Sequence, residues 1–218
     1  MVLHGKLGRV RITASTPTST TNLSADLWTD KRTLVIDDTT RRHWDRNSTL
    51  HRVYGATTGT PLAAASYTLD YVRGRVVFST DHSTAVVYKV DMAWFPTSCL
   101  GVTKSWSLDV SNDLKDSTVF SCATGSIGWR TFTPGLGEGT IQLGRLYGSS
   151  ESTGPPFVDR QALSSPLFVE LLPSATAGDK FECYAYIQTD SHQISVDDLG
   201  QENVTLKPSG PIHYTTST

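Results

Sequence analysis

The side chains that could hold a metal or catalyse a reaction are scattered along this sequence. Its histidines are His4, His43, His51, His82, His192 and His213. None of them shows the His-x-His or His-x-x-x-His spacing of a metal site. The pairs Asp37-Asp38 and Asp197-Asp198 lack the repeated spacing of a calcium loop, and turn formation explains them better. The sequence therefore predicts neither a metal nor another cofactor.

A glycine-rich segment, GLGEG at 135–139, invites a phosphate-binding interpretation. It lacks the Lys-Ser/Thr pair of a P-loop and the strand-to-helix context of a dinucleotide site, so a flexible hairpin turn is the better prediction. The sequence also contains no Gly-x-Ser-x-Gly nucleophile elbow. Because no motif joins a nucleophile, a base and an orienting group, the sequence predicts a protein that is not an enzyme.

The one basic and aromatic cluster is RRHWDR at 41–46. Arginine and tryptophan together can grip nucleic acid or sugar by stacking. Asp45 interrupts the cluster, however, and the same two residue types are common anchors of structural interfaces. We favour the structural interpretation.

The composition narrows the class of protein further. Of the 218 residues only 18% are charged, and the net charge is −2. This balance lacks the basic footprint of a nucleic-acid binder, but it permits a protein that surrounds DNA without gripping it. Three widely spaced cysteines give no disulfide framework. Without a signal-peptide pattern or an apolar run of about 20 residues, we expect no membrane partner and folding in the cytoplasm.

Alternation of apolar and polar residues dominates the chain and predicts antiparallel strands, with turns about 8–12 residues apart. The predicted strands lie at 8–12, 33–37, 66–79 (a hairpin turning at Arg73-Gly74), 85–94, 102–111, 126–134, 139–147, 167–172, 180–187, 192–197 and 203–208. A Ser/Thr/Pro linker is predicted at 14–21, a turn or single helical turn at 112–120, and one short helix at 157–166. The predicted fold class is all-β, an antiparallel β-sandwich or partial barrel.

Four segments of the second half occur in a characteristic order: SWSLDVSNDLKDSTVF (105–120), WRTFTPGLGEGTIQLGRLY (129–147), FVELLPSATAGDKFECYAYIQTDSHQISVDDLG (168–200) and VTLKPSGPIHY (204–214). Along these segments, aromatic strands are followed by a Pro-Gly-Leu turn, and the last strand ends in Pro-Ser-Gly. In this order and spacing the chain resembles the major tail tube proteins of long-tailed siphophages.

The first half matches the family less continuously. MVLHGKLGRVRI (1–12) resembles the family's opening strand, but about 70 residues then intervene before the strand of Trp106. We predict a tail-tube-like β core from 1–22 plus 96–218 and a β-rich insertion or extra subdomain at 23–95. A continuous N-terminal domain ending near Pro96 is the alternative.

The resemblance implies a structural virion protein of the tail. Its subunits would oligomerise into stacked, hexameric rings that form a DNA-conducting tube, with other tail proteins (tape measure, tail terminator, baseplate) as partners. Viral DNA would pass through without sequence-specific binding. By position, the residues expected at subunit or ring contacts are Met1, His4, Gly5, Lys6, Gly135, Leu136, Gly137, Glu138, Pro208, Ser209 and Gly210.

Two alternatives remain at the level of the sequence. One is a baseplate or tail-completion ring protein of related fold. The other is a carbohydrate-binding β-sandwich, in which exposed tryptophan and tyrosine rings would stack on sugars.

Overall fold

The computed structural model describes residues 8–13, 16–55, 59–100, 103–117, 132–146, 166–174, 178–193 and 200–216. Within these ranges the chain folds into β-strands and two single-turn 3-10 helices, at Thr39–Arg41 and Ala64–Ser66. Every strand pairing is antiparallel. The predicted all-β, antiparallel class is therefore confirmed. A search of the described residues found no helix with the length and apolar character needed to span a membrane.

The larger sheet contains eight strands. They are β1 (Arg9–Thr13), β8 (Thr97–Cys99), β9 (Thr103–Asp116), β10 (Phe132–Leu146), β11 (Leu167–Leu172), β12 (Lys180–Gln193), β13 (Gln201–Pro208) and β14 (His213–Thr215), numbered along the chain. Their spatial order is β8-β1-β11-β12-β13-β10-β9, and β14 pairs with β12. Because β1 and β9 approach each other without being hydrogen-bonded neighbours, the sheet curves into a partial barrel.

The inner face of this sheet carries one apolar core. Residues two apart along a strand share a face, so each strand contributes every second side chain. Trp106, Leu108 and Ile187 pack against the cluster while staying partly exposed. The buried members are Val10, Ile12, Leu100, Ile141, Leu143, Leu167, Val169, Leu171, Cys183, Ala185, Val204 and Leu206.

The second sheet has six strands, all drawn from residues 18–94. They are β2 (Thr18–Leu27), β3 (Thr33–Ile36), β4 (Arg52–Gly55), β5 (Tyr67–Asp70), β6 (Arg75–Phe78) and β7 (Tyr88–Trp94), in the spatial order β4-β7-β2-β3-β6-β5. The sheet has its own core, in which Trp44, Val53 and Met92 are fully buried. The division of the chain into a β core (1–22 plus 96–218) and an insertion (23–95) remains a prediction.

The hairpin predicted at 66–79 is confirmed as β5 and β6. Its turn needs Gly74, which has φ +59 and where an added Cβ would lie 2.5 Å from the backbone carbonyl oxygen of Arg42. A left-handed conformation and a close backbone approach both favour glycine. The turn therefore fits against the segment that contains the basic and aromatic cluster.

Several local predictions are wrong because pairing across the sheet overrides local signals. The predicted linker at 14–21 already belongs to β2 from Thr18, which pairs with Trp94 of β7. The predicted turn at 112–120 is strand as far as Asp116, and the predicted GLGEG turn at 135–139 lies inside β10. No break separates His192 from the strand before it, since β12 runs on to Gln193. The helix predicted at 157–166 lies outside the described residues except for Pro166.

The cluster at 41–46 joins the two sheets. The His43 ring stacks on Phe168 of β11 with ring centroids 3.7 Å apart. The Tyr184 hydroxyl of β12 donates a hydrogen bond to the Trp44 carbonyl oxygen. Arg46 donates to the Ser209 carbonyl oxygen at 3.1 Å. Because Trp44 is fully buried, it offers no ring face to a base or a sugar, and the cluster forms an interface within the chain.

Replacing Tyr184 with phenylalanine tests this junction. The Tyr184→Phe variant leaves the Trp44 carbonyl oxygen without its donor, and we expect a loss of about 1–3 kcal/mol in the free energy of unfolding. The matched control is Tyr186→Phe, two residues further along the same face of β12, where the side chain is 42% exposed. We expect the control to stay within about 0.5 kcal/mol of wild type in urea denaturation. Equal losses in both variants would contradict the assigned role of the Tyr184 hydroxyl.

Candidate assembly surface

A two-stranded arm projects from the edge of the eight-stranded sheet. It consists of residues 109–116 of β9 and 132–138 of β10, which pair antiparallel. Every residue in both ranges is exposed. We call these two ranges the hairpin arm. An isolated two-stranded hairpin is at best marginally stable in water, so an arm exposed on both faces gains little stability from its own burial.

One face of the hairpin arm is apolar. Val110, Leu114 and Phe132 are 61%, 57% and 51% exposed. The register places Leu114 opposite Pro134, and Val110 opposite Gly139. Since strand side chains repeat every second residue, Val110 and Leu114 lie on the same side of β9 as Trp106 and Leu108. The surface that builds the core thus continues into the arm without cover from the described residues.

The opposite face of the hairpin arm is charged. Asp109, Asp113, Lys115 and Glu138 alternate with the apolar positions. Asp116 lies on the apolar face, opposite Phe132, and with it the whole arm carries four carboxylates and one ammonium, a net charge of −3. The Lys207 ammonium hydrogen-bonds to Glu138 and lowers the pKa of that carboxyl. One face of the arm is therefore acidic, and the other is mainly apolar, with Asn112 and Asp116 beside its apolar residues.

A β-bulge shapes the arm at the glycine-rich segment. The register between β9 and β10 shifts between Pro134 and Gly137. An added Cβ at Gly135 would lie 2.9 Å from the Asp113 carbonyl oxygen, so only glycine fits without a shift. At the bulge Leu136 is 86% exposed, the highest value among the large apolar side chains described. Bulges re-aim side chains, and this one displays a leucine to solvent.

Two of the three segments predicted for assembly contacts lie side by side. A pocket of about 380 Å³ at the base of the arm joins the glycine-rich segment to the residues after β13. Its described lining residues are Val110, Gly137, Glu138, Gly139, Pro208, Gly210, Pro211 and Ile212. Ser209, another predicted contact residue, lies between Pro208 and Gly210 in the chain. The predicted residues Met1, His4, Gly5 and Lys6 lie outside the described residues.

Val110, Leu114 and Phe132 of the arm are not among the contact residues predicted from the sequence, which do include Leu136. The strand predicted at 102–111 places Val102, Lys104, Trp106, Leu108 and Val110 on one largely apolar side, and of these Trp106 is predicted to be core. Only Trp106 and Leu108 pack against the core, whereas Val110 is exposed. Because the alternation continues through Leu114, the sequence predicts the apolar face. It does not show that no described residue packs against this face.

Two groups of described side chains have metal-ligating atoms close together. The first contains the buried residues His43, Glu170 and Glu182. The Lys180 ammonium lies 2.7 Å from Glu170 and 2.6 Å from Glu182, and Thr215 donates to Glu182 at 3.1 Å. Lysine thus compensates both carboxylates, and the group functions as a buried ion-pair network.

The second group contains Asp190, His192 and Glu202. Arg145 forms an ion pair with Glu202. Glu170, Glu182 and the whole second group lie on the eight-stranded sheet, whereas His43 belongs to the segment 41–46.

Comparisons with known proteins gave matches among solved structures alone. No family model matches the chain, and no curated protein matches it. Two similar structures are described as the virion of a native gene transfer agent particle (13% identity, TM-score 0.41, 56% of this chain and 89% of that chain) and the tail of an empty gene transfer agent particle (12%, 0.43, 56% and 87%). A third is described as the SPP1 tail tube (10%, 0.39, 77% and 75%). A tail tube is the class of protein that the sequence resembles.

The burial of His43 in the first group makes the free energy of unfolding depend on pH. Burial lowers the pKa of His43 from 6.5 to about 4, against the opposing charge of Glu170, while Lys180 and Arg11 reinforce the shift. At a pH between 4 and 6.5, His43 binds a proton more tightly in the unfolded chain than in the folded chain. The contribution of His43 to stability is therefore complete above pH 6.5 and is lost as the pH falls toward 4, by about 1.4 kcal/mol per pH unit.

Urea denaturation of wild type and His43→Gln across pH 7 to 5 measures this slope. We expect the wild-type free energy of unfolding to fall more steeply with decreasing pH than that of the variant, by the titration of one group. Parallel slopes would contradict a buried neutral His43. An NMR titration of the His43 ring in the wild-type chain gives a second measurement that does not depend on the variant folding.

Proposed function

We propose that this chain is a structural subunit of a phage-type tail, a tail tube protein that assembles with copies of itself into stacked rings. The observation that carries the proposal is the hairpin arm, whose apolar face extends the core face of the eight-stranded sheet into solvent. A second copy of the chain is the proposed occupant of that face.

The open edge of the sheet supports a partner that is another copy. β9 ends the order of the described strands, and its 14 residues form a long edge. Exposed edges of this length pair with other chains unless they are covered. The opposite edge is β8, a different strand, so pairing between edges would be head-to-tail. Head-to-tail contacts close into rings when the rotation permits, and we propose hexameric rings.

The charge of the chain supports a conduit that releases DNA. Cations that neutralise phosphates hold nucleic acid strongly, and binding strengthens with each contact. This chain carries a net charge of −2, and the hairpin arm is acidic. We propose that viral DNA passes through the tube without specific binding. The further proposed partners are the tape measure, tail terminator and baseplate proteins. We propose that the protein is located in the virion tail, after assembly in the host cytoplasm.

The alternatives fit the described surfaces less well. A baseplate or tail-completion ring protein would use the same self-association and differs only in its place in the tail. A carbohydrate-binding protein needs aromatic rings in a groove. The described lining of the pocket beside the arm contains none, and that of a second pocket of about 370 Å³ contains only Tyr54, whose hydroxyl donates a hydrogen bond to Asp91. Arg75 lies 4.5 Å from the centroid of the Trp28 ring and covers one of its faces.

Replacing Val110 with aspartate tests the role of the hairpin arm. A charge on the apolar face would oppose burial against a second copy, so we expect Val110→Asp to lose rings and tubes in negative-stain electron microscopy and to sediment as a monomer. The matched control is Val87→Asp in the six-stranded sheet region, where the side chain is 59% exposed against 61% for Val110. Both variants should keep the wild-type free energy of unfolding within about 0.5 kcal/mol.

The control should assemble as wild type does. If Val110→Asp also assembled normally, the arm would not be the contact surface. Leu136→Asp gives an independent variant at the bulge, with the same expected loss of assembly. A wild-type chain that stays monomeric at every concentration would contradict self-assembly through the arm.

A further inference from the structure

The second group of metal-ligating side chains lies on adjacent strands of the eight-stranded sheet. The register places His192 of β12 opposite Glu202 of β13, and Glu202 opposite Arg145 of β10. Asp190 precedes His192 by two residues, so both side chains lie on the same face of β12. One potential ligand atom from each of Asp190, His192 and Glu202 lies within 4.8 Å of the others.

Carboxylate oxygens in this group are buried without hydrogen-bond partners. The Asp190 side chain is 1% exposed, and neither of its oxygens has a hydrogen-bond partner. Glu202 is fully buried, and its Oε1 also lacks a partner, while Arg145 pairs with Oε2. His192 Nε2 lies 3.3 Å from Asp190 Oδ2. A buried carboxylate that is not compensated is among the most costly groups in a protein interior, so three unpartnered oxygens require an explanation.

The buried group around His43 shows how this chain otherwise compensates such carboxylates. There the Lys180 ammonium bridges Glu170 and Glu182, and neither carboxylate has an unpartnered buried oxygen. In the group around Asp190, the described arginine is Arg145, which forms an ion pair with Glu202 Oε2. The nearest ligand nitrogen to the Asp190 oxygens is His192 Nε2, 3.3 Å from Oδ2, and the Glu202 carboxylate belongs to the same group of ligand atoms.

We propose that Asp190, His192 and Glu202 bind a divalent transition-metal cation of the Zn²⁺ or Mn²⁺ type. One imidazole nitrogen and two carboxylate oxygens form a mixed donor set that suits these ions better than Ca²⁺ or Mg²⁺, which prefer oxygen ligands alone. The cation would compensate the unpartnered oxygens and join β12 to β13. Arg145 would hold Glu202 in position from β10. This site is structural and does not depend on the proposed tail function.

Zinc titration of the full chain tests the proposal. The protein is stripped with a chelator, dialysed, and titrated with ZnCl₂ by calorimetry, and its thermal unfolding is recorded with and without Zn²⁺. We expect one equivalent to bind and the unfolding midpoint to rise. Asp190→Asn should weaken binding by at least about tenfold and abolish the rise in the midpoint. The matched control is Asp109→Asn, an exposed carboxylate of the hairpin arm, which should bind as wild type does.

A comparison of the chelated, metal-free wild type with Asp190→Asn tests the alternative, in which a proton and not a metal neutralises Asp190. If Asp190 is simply held neutral by a proton, the chelated wild type and Asp190→Asn should have similar midpoints, and ZnCl₂ should change neither. That result would overturn the proposal, as would equal Zn²⁺ binding by wild type and Asp190→Asn, which indicates adventitious surface binding. Should Asp190→Asn fail to fold, His192→Gln is the second variant. Co²⁺ absorption spectra of the wild type then report directly on nitrogen and oxygen coordination.

Discussion

The inner face of the eight-stranded sheet is a single surface with a period of two residues, and most features of the molecule are parts of it. In its middle, Ile141, Leu143 and Val204 form the core. Along β9 the same face continues past Trp106 to Val110 and Leu114, where no described residue covers it. Toward the other end of β10 it passes from Leu143 to the buried ion pair of Arg145 and Glu202. The core, the candidate assembly surface and the Arg145–Glu202 pair thus follow from one alternation, whereas Asp190 and His192 reach the same face after the register shift between Ile187 and Thr189 in β12.

The two sheets are coupled through a small set of contacts. Each sheet has its own apolar core, and a third cluster of Val72, Phe168 and Tyr184 joins them. Around it the basic and aromatic segment supplies a stacked ring, a buried tryptophan carbonyl oxygen and an arginine hydrogen bond. A junction with this many directional contacts fixes orientation more strongly than apolar burial alone. The sheet formed by residues 18–94 is therefore held against β11 and β12, close to the ion-pair network of Lys180.

Local sequence signals predicted the elements that local interactions determine. The hairpin of β5 and β6 was predictable because its strands and its glycine turn are contiguous, and β7 because Tyr88, Val90 and Met92 alternate into the core. The glycine-rich segment was not, because its glycines resemble a turn unless the pairing with β9 is known. The Asp190-Ser191-His192 spacing carries no metal signal by itself. Glu202 and Arg145 join it through the register of other strands, which the local sequence does not encode.

The geometry of β10 connects the two ends of the sheet. Its first residues belong to the hairpin arm and its penultimate residue is Arg145, so the strand reaches from the proposed contact with a second copy to the candidate cation site. The nine residue-to-residue steps from Leu136 to Arg145 extend roughly 30 Å at the usual strand rise. In a lone chain the arm end gains little from burial and is the natural place for the pairing of β9 and β10 to fray. Compensation of the Glu202 carboxylate at the other end would hold β10 in register with β13. An arm kept in register in this way loses less conformational entropy when it pairs with a neighbour, which favours assembly without adding any contact to the interface.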